Sequence, residues 1–215
     1  MQLIGMLDSP YVRRVAIAFQ YLDLPFRHQS VSVFRDFDRF QALNPVVKAP
    51  TLICDDGQVL MDSTLILDYA EAKRSHVGKG RCLMPNGLSE RQRALRHMGL
   101  ALMACDKSVQ LYYERSLRPE NKQHQPWIER VTGQLLNAYA ALEAELDQKA
   151  IALASDDIDL AEISTAVAWT FTNSIVPGVV PAKDYPQLQA LTEQAESLAE
   201  FAAAPYGDST YNPAS

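Results

Sequence analysis

Ile4-Gly5-Met6-Leu7-Asp8-Ser9-Pro10-Tyr11-Val12-Arg13-Arg14-Val15 reads as the end of a short strand, a loop and the start of an amphipathic helix. Leu3-Ile4 is the buried strand, Gly5 to Asp8 the loop, and Pro10 to Tyr21 the helix, with Val12, Val15, Ala16 and Phe19 recurring on one face. Proline at the first helical position is preorganised there, which makes Ser9 the N-cap. Capping is the ordinary use of such a serine. The same position has a second use, because an anionic sulfur beside Ser9 would meet the hydroxyl, the free N–H groups of the first turn and the positive end of the helix dipole. Arg13 and Arg14 read as solvated or surface-paired, with no catalytic role.

On either side of this stretch, strand and helix signals alternate through the first third of the chain. Phe26 to Val31 is a second strand after the turn at Asp23-Leu24-Pro25, and Phe34 to Leu43 is an irregular helical segment ending before Asn44-Pro45. Thr51 to Cys54 and Gln58 to Met61 flank Asp55-Asp56-Gly57, a hairpin turn between antiparallel strands. Ser63 to Lys73 returns to helical period. Gly78, Gly80, Pro85 and Gly87 then mark a linker, so the expected division is positions 1–76, a linker at 77–88 and an all-helical region at 89–215.

Beyond the linker, Leu95, Met98, Leu102, Cys105, Val109 and Tyr112 recur at steps of three and four, predicting one long helix. A second long helix starts near Pro126-Trp127 and continues through Ile128, Val131, Leu135, Ala138, Leu142 and Leu146. Asp159-Leu160-Ala161-Glu162 is a capping box that opens an apolar helix. A last helix is expected from Pro186 to Ala204, followed by an irregular tail.

Composition narrows the functions. A 47% hydrophobic content suffices for a packed core, and 26 acidic against 20 basic residues give a net charge of −6, without the basic stripe that tracks phosphates. Nucleic acid is excluded as an expected partner. The first residues lack the basic flank and apolar length of a signal peptide, and no run has the length to cross a bilayer, which points to a cytoplasmic protein with no membrane partner. Cys54, Cys82 and Cys105 are widely spaced, and the scattered His28, His76, His97 and His124 form no helical pair, so no metal is assigned.

Two further features bear on Ser9. Ala49-Pro50-Thr51 places proline at the entry of a strand; a cis bond there would expose a backbone amide, and the sequence leaves both isomers open. Asp62-Ser63 lies at another helix start, where capping is the ordinary role. Its functional reading is a receptor for an amino acid: Ser63 hydroxyl and N–H for a carboxylate, Asp62 for an ammonium group.

Taken in order, Ile4 to Val15, Asn44-Pro45-Val46-Val47-Lys48-Ala49-Pro50-Thr51-Leu52 and Asp62-Ser63-Thr64-Leu65-Ile66 resemble the glutathione transferase superfamily, of the bacterial or tau-like kind with serine at the active position. The linker at Leu83-Met84-Pro85 and the capping box extend the resemblance over essentially the whole chain. It implies an α/β thioredoxin-like N-terminal domain that binds glutathione, followed by an all-α helical-bundle domain that supplies the pocket for a small electrophile. Such proteins usually form homodimers.

Carried over by position, the resemblance has Ser9 donate to the glutathione sulfur and the backbone of Ala49, before cis Pro50, pair with the cysteinyl part. It also has Asp62 and Ser63 grip the γ-glutamyl end, and Lys48 lie near the glycine carboxylate. Asp62 stands where the family commonly has glutamate, so the charge is kept on a shorter arm. A cysteine in place of Ser9 would favour thiol transfer, a chemistry this chain is not expected to use.

Lowering a thiol pKa of about 8.5 by about two units needs roughly 2.7 kcal/mol of preference for the thiolate. A hydrogen bond to a charged acceptor supplies about 1.5 to 3 kcal/mol and a helix N-terminus about 0.3 to 1 kcal/mol. Ser9 and its helix are therefore sufficient. For the electrophile the resemblance points to Met103, Lys107 and Tyr113, with Tyr112 assigned to the core stripe and Trp169 to packing. The rival reading is a non-catalytic glutathione- or ligand-binding scaffold on the same fold.

Overall fold

A computed structural model describes residues 1–77, 81–146 and 158–211, and the chain divides into two compact units, Met1–Met84 with Ser197–Ser215, and Pro85–Glu196. The sequence-based division kept 89–215 together, whereas the stretch from Ser197 belongs with the first unit. Gly78 and Gly80 of the expected linker, and positions 212–215 of the expected tail, lie outside the described residues.

The first unit runs β1 (Gln2–Ile4), α1 (Pro10–Tyr21), β2 (Arg27–Gln29), α2 (Phe37–Leu43), β3 (Thr51–Ile53), β4 (Val59–Met61) and α3 (Ser63–Val77). The sheet has four strands in the order β2-β1-β3-β4, with β1 parallel to β2 and both β1/β3 and β3/β4 antiparallel. Leu3 lies opposite His28 on one side and Leu52 on the other. A parallel pair needs a crossover, which α1 supplies, whereas β3 and β4 need only a tight turn. At that turn Gly57 has φ +87°, and Cys54 N–H donates to Gln58 O at 2.8 Å. This is the thioredoxin-like arrangement that the resemblance implies. Its core is built from Leu3, Ile4, Val15, Phe19, Leu52 and Ile66, and α1 packs beside α3.

The second strand is shorter than the sequence suggests because Ser32 and Asp36 draw the chain into a turn. Ser32 Oγ accepts from Phe34 N and Arg35 N at 3.2 and 3.1 Å, and Ser32 N–H donates to Asp36 Oδ2 at 2.9 Å. Side chains that bond the local backbone in this way compete with a sheet ladder, so β2 stops at Gln29 and α2 starts only at Phe37.

The second unit contains α4 (Leu88–Tyr112), a π-helical turn (Tyr113–Leu117), α5 (Gln125–Leu146), α6 (Leu160–Ile175) and α7 (Pro186–Glu196). Helix α4 packs on both α5 and α6. Its buried face is Ala94, Met98, Ala101, Ala104, Cys105, Ser108 and Leu111, while Leu95 and Tyr112 are exposed. The expected core stripe is thus rotated, and Tyr112 is not a core residue. Two neighbouring helices approach α4 closely along its small residues, a preference that a pattern weighted by large apolar side chains misses. Asp159 caps α6 as expected: its Oδ1 accepts from Ala161 N and Glu162 N at 2.8 and 2.9 Å, and Glu162 Oε2 accepts from Asp159 N at 2.9 Å. Trp169 is 2% exposed and packs edge-on against Tyr139, as its assignment to packing requires.

The expected last helix is broken. After α7, a short helix α8 (Ala199–Ala202) forms part of the first unit and packs on α1. Arg13 Nε donates to Ala204 O at 2.8 Å and its guanidinium lies 5.7 Å from the centre of the Phe201 ring. This corrects the reading of Arg13 and Arg14 as solvated, since each is only 1% exposed. A planar guanidinium can be buried when a carbonyl and an aromatic face meet it, and the apolar stem adds to the core.

Candidate functional site

The site residues of the first unit gather around the N-terminal end of α1. Ser9 is half-buried, with φ −74° and ψ 122°, and its Oγ accepts from Val12 N–H at 3.4 Å. That contact is longer than a good N–H···O bond, so the cap constrains the hydroxyl weakly. Before it, Gly5 has φ +133°, and a Cβ there would fall 2.6 Å from Val12 Cγ2 and 3.2 Å from Ala49 Cβ. Only glycine lets the loop before Ser9 close against both α1 and Ala49.

The Ala49-Pro50 bond is cis. The loop leading to it hangs on Asn44, which is 1% exposed and was not singled out from the sequence. Asn44 Nδ2 donates to Thr51 Oγ1 at 2.8 Å, Asn44 Oδ1 accepts from Val46 N at 3.0 Å, and Thr51 Oγ1 in turn donates to Lys48 O at 2.7 Å. Val47 has φ +52°, a costly conformation for a β-branched residue, held in place by its N–H bond to Asn44 O at 2.9 Å. Lys48 is exposed, with its Nζ 5.7 Å from the centre of the Tyr11 ring in the first turn of α1.

Asp62 has φ +69° and precedes α3, where its Oδ1 accepts from Thr64 N–H at 2.8 Å. Ser63 is 2% exposed and its Oγ accepts from Arg14 Nη1 at 3.0 Å. Arg14 also reaches Thr64 Oγ1 at 3.4 Å. The buried guanidinium therefore brings positive charge to the start of α3, where a helix already favours anions, and an acceptor bond leaves the Ser63 hydroxyl proton able to donate elsewhere. The Arg13-Arg14 pair is visible in the sequence, but its burial depends on contacts far along the chain.

Asp8, directly before Ser9, has its carboxyl pushed above the ordinary range, first by burial and then by the charge of Asp208, with Arg35 acting in the opposite direction. Among the described residues no group of histidine, cysteine and carboxylate side chains could hold a metal. Likewise no described helix is long and apolar enough to cross a membrane.

Met103, Lys107 and Tyr113 belong to the second unit. Met103 and Lys107 lie one turn apart on α4; Met103 is 44% exposed, and Lys107 Nζ pairs with Asp106 Oδ2 at 3.0 Å. Tyr113 is exposed at the start of the π-helical turn, with its ring 6.2 Å from that of Tyr112.

Residues 3–78 match the glutathione S-transferase N-terminal domain and residues 125–194 match the glutathione S-transferase C-terminal domain. The chain belongs to the glutathione transferase superfamily. It is 26% identical over 204 residues to the uncharacterized GST-like protein YibF of Escherichia coli (strain K12), covering 94% of this chain and 96% of that protein. A glutathione transferase family member from Pseudomonas fluorescens Pf-5, solved with bound glutathione, is 27% identical with a TM-score of 0.78 and covers 100% of this chain and 99% of its own. A glutathione S-transferase from Methylobacterium radiotolerans, in complex with glutathione sulfonate, has a TM-score of 0.85 at 24% identity over 100% of this chain and 95% of its own, which is a likeness of fold.

Proposed function

We propose that this glutathione transferase superfamily member binds glutathione in its first unit and activates the thiol for attack on a small, partly apolar electrophile. The observation that carries the proposal is that the Gly5 loop closes on both Val12 and Ala49, and Arg14 on Ser63, so that Ala49 and Ser63 both adjoin the first turns of the helix that Ser9 caps. Ser9 Oγ donates to the glutathione sulfur and, with the dipole of α1, favours the thiolate. The backbone at Ala49 pairs with the cysteinyl part. Ser63 takes the γ-glutamyl carboxylate, Asp62 its ammonium group, and Lys48 the glycine carboxylate.

The thiol proton passes to solvent, and the sulfur electron pair forms the new C–S bond while the leaving group departs with its own pair. A carbon–carbon double bond or a peroxide would meet the same thiolate, so isomerase and peroxidase chemistry share this machinery. Met103, Lys107 and Tyr113 are proposed to contact the electrophile, from the helical unit Pro85–Glu196. The protein is further proposed to be a cytoplasmic homodimer that needs no metal.

One observation favours a second reading, a non-catalytic glutathione-binding protein. Asp62 carries a shorter arm than glutamate, and its Oδ1 is already engaged by Thr64 N–H. Calorimetry with glutathione, followed by assays against chemically diverse electrophiles, separates the two. Binding with turnover supports the transferase, binding without turnover on any acceptor supports the second reading, and absence of binding defeats both.

A further inference from the structure

The terminal stretch from Pro205 to Tyr211 is fastened to the sheet unit through contacts that the proposed reaction does not use. Tyr211 N–H donates to His28 Nδ1 at 2.9 Å, and His28 Nε2 lies 2.7 Å from Gly5 O. An amide N–H can only donate and a carbonyl oxygen can only accept, so these two partners select one state of the ring: neutral, with its proton on Nε2. The Tyr211 ring also stacks on Phe26 with 4.5 Å between centres, Asp208 O accepts from Ser30 Oγ at 3.2 Å, and Asp208 Oδ2 pairs with Arg35 Nη2 at 2.9 Å.

We propose that residues 205–211 form a pH-sensitive strap, latched by neutral His28 and released when the imidazole gains a second proton. A proton on Nδ1 would face the Tyr211 N–H, placing two donors against each other and turning a hydrogen bond into a repulsive contact. The docked ring is pulled below its ordinary value by burial, with the Gly5 carbonyl acting in the opposite direction. Because the docked state binds the proton less readily than the released one, the latch is fully present above the ordinary histidine pKa of about 6.5 and is lost as the pH falls through the lower docked value.

The groups facing His28 are the Gly5 carbonyl at the end of β1 and the Tyr211 amide on the strap. Asp208 on the strap, Arg35 before α2 and Asp8 in the β1–α1 loop make a separate charged cluster. Asp8 works in the opposite sense to His28: its carboxyl is raised partly by Asp208, so protonating it relieves repulsion on the strap. Arg35 Nη2 also approaches Met6 Sδ at 3.4 Å, so the two side chains that hold the strap, His28 and Arg35, each also touch the loop that leads to Ser9. The strap is independent of whether glutathione is bound or turned over.

Hydrogen–deuterium exchange of the full-length protein, corrected for intrinsic rates, tests this. Between about pH 7.5 and about pH 5, protection of the terminal stretch should fall at least roughly tenfold in the wild type, because the released ring, at the ordinary histidine value of about 6.5, gains its proton across that window and the docked ring binds it less readily. His28→Gln offers a donor and an acceptor without titrating, so its strap should stay protected across the range. Asp8→Asn removes the opposing carboxylate and should leave the fall in place. Protection that is flat with pH in the wild type, or that falls equally in His28→Gln, overturns the proposal.

Discussion

Arg14 and Ser63 are joined by a buried hydrogen bond, Nη1 to Oγ at 3.0 Å, across 49 positions of sequence. It ties the helix that Ser9 opens to the helix that Ser63 opens, so the two N-termini of the candidate site are held by one side chain. Lysine in place of Arg14 keeps the charge but loses the planar guanidinium, whose Nη1 reaches both Ser63 and Thr64. Arg14→Lys should lower unfolding free energy by about 1 to 3 kcal/mol in a denaturant titration. In steady-state kinetics it should raise the KM for glutathione roughly tenfold while changing kcat less than about threefold, the split expected of a group that acts through binding.

Gly5 is the point where the loop before Ser9 closes on Ala49. Gly5→Ala should cost at least about 1 to 3 kcal/mol, since φ +133° suits only glycine and the added Cβ would sit 2.6 Å from Val12 Cγ2. Calorimetry should show weaker glutathione binding even in conditions where the variant remains folded.

The capping box of α6 offers a stability prediction separate from the site. Asp159→Ala removes the one oxygen that accepts from both Ala161 N and Glu162 N, and chemical unfolding should register a loss of about 0.5 to 2 kcal/mol. Glutathione affinity at temperatures well below unfolding should be unchanged.

Tyr139 is fully buried in the helical unit, with its hydroxyl 2.9 Å from Ala168 O and 2.7 Å from Thr172 Oγ1, and burial holds its phenol well above the ordinary pKa. Tyr139→Phe keeps the ring contacts with Trp169 and Tyr185. Thr172 retains Ser108 as a partner at 2.8 Å, so the expected loss is about 1 kcal/mol in an unfolding titration.

These positions differ in how far the sequence revealed them. The Asp159 capping box, the Gly57 turn and the cap at Ser9 are local, with their partners within about four residues, so short patterns carry them. Arg14, which the sequence presents as a surface charge, and Asn44, which it presents only as part of a turn, take their roles from partners brought in by tertiary packing: Ser63 lies on another helix, and Thr51 lies across a loop whose Val47 adopts a left-handed conformation. The α4 stripe differs from the sequence pattern for a related reason. Large apolar residues such as Leu95 and Tyr112 remain at the surface of this unit, while Ala101 and Ala104 face the neighbouring helices. The isomer of the Ala49-Pro50 bond likewise depends on surroundings that the dipeptide does not encode.

Ser9 is proposed to stabilise a bound thiolate, and the thiol of bound glutathione reports this without any electrophile. Ultraviolet titration of the thiolate in the wild-type complex should give a pKa about two units below the free value of about 8.5. In the Ser9→Ala complex at saturating glutathione, most of that shift should vanish. A bound thiol that titrates at the same pH with and without the Ser9 hydroxyl would contradict the account.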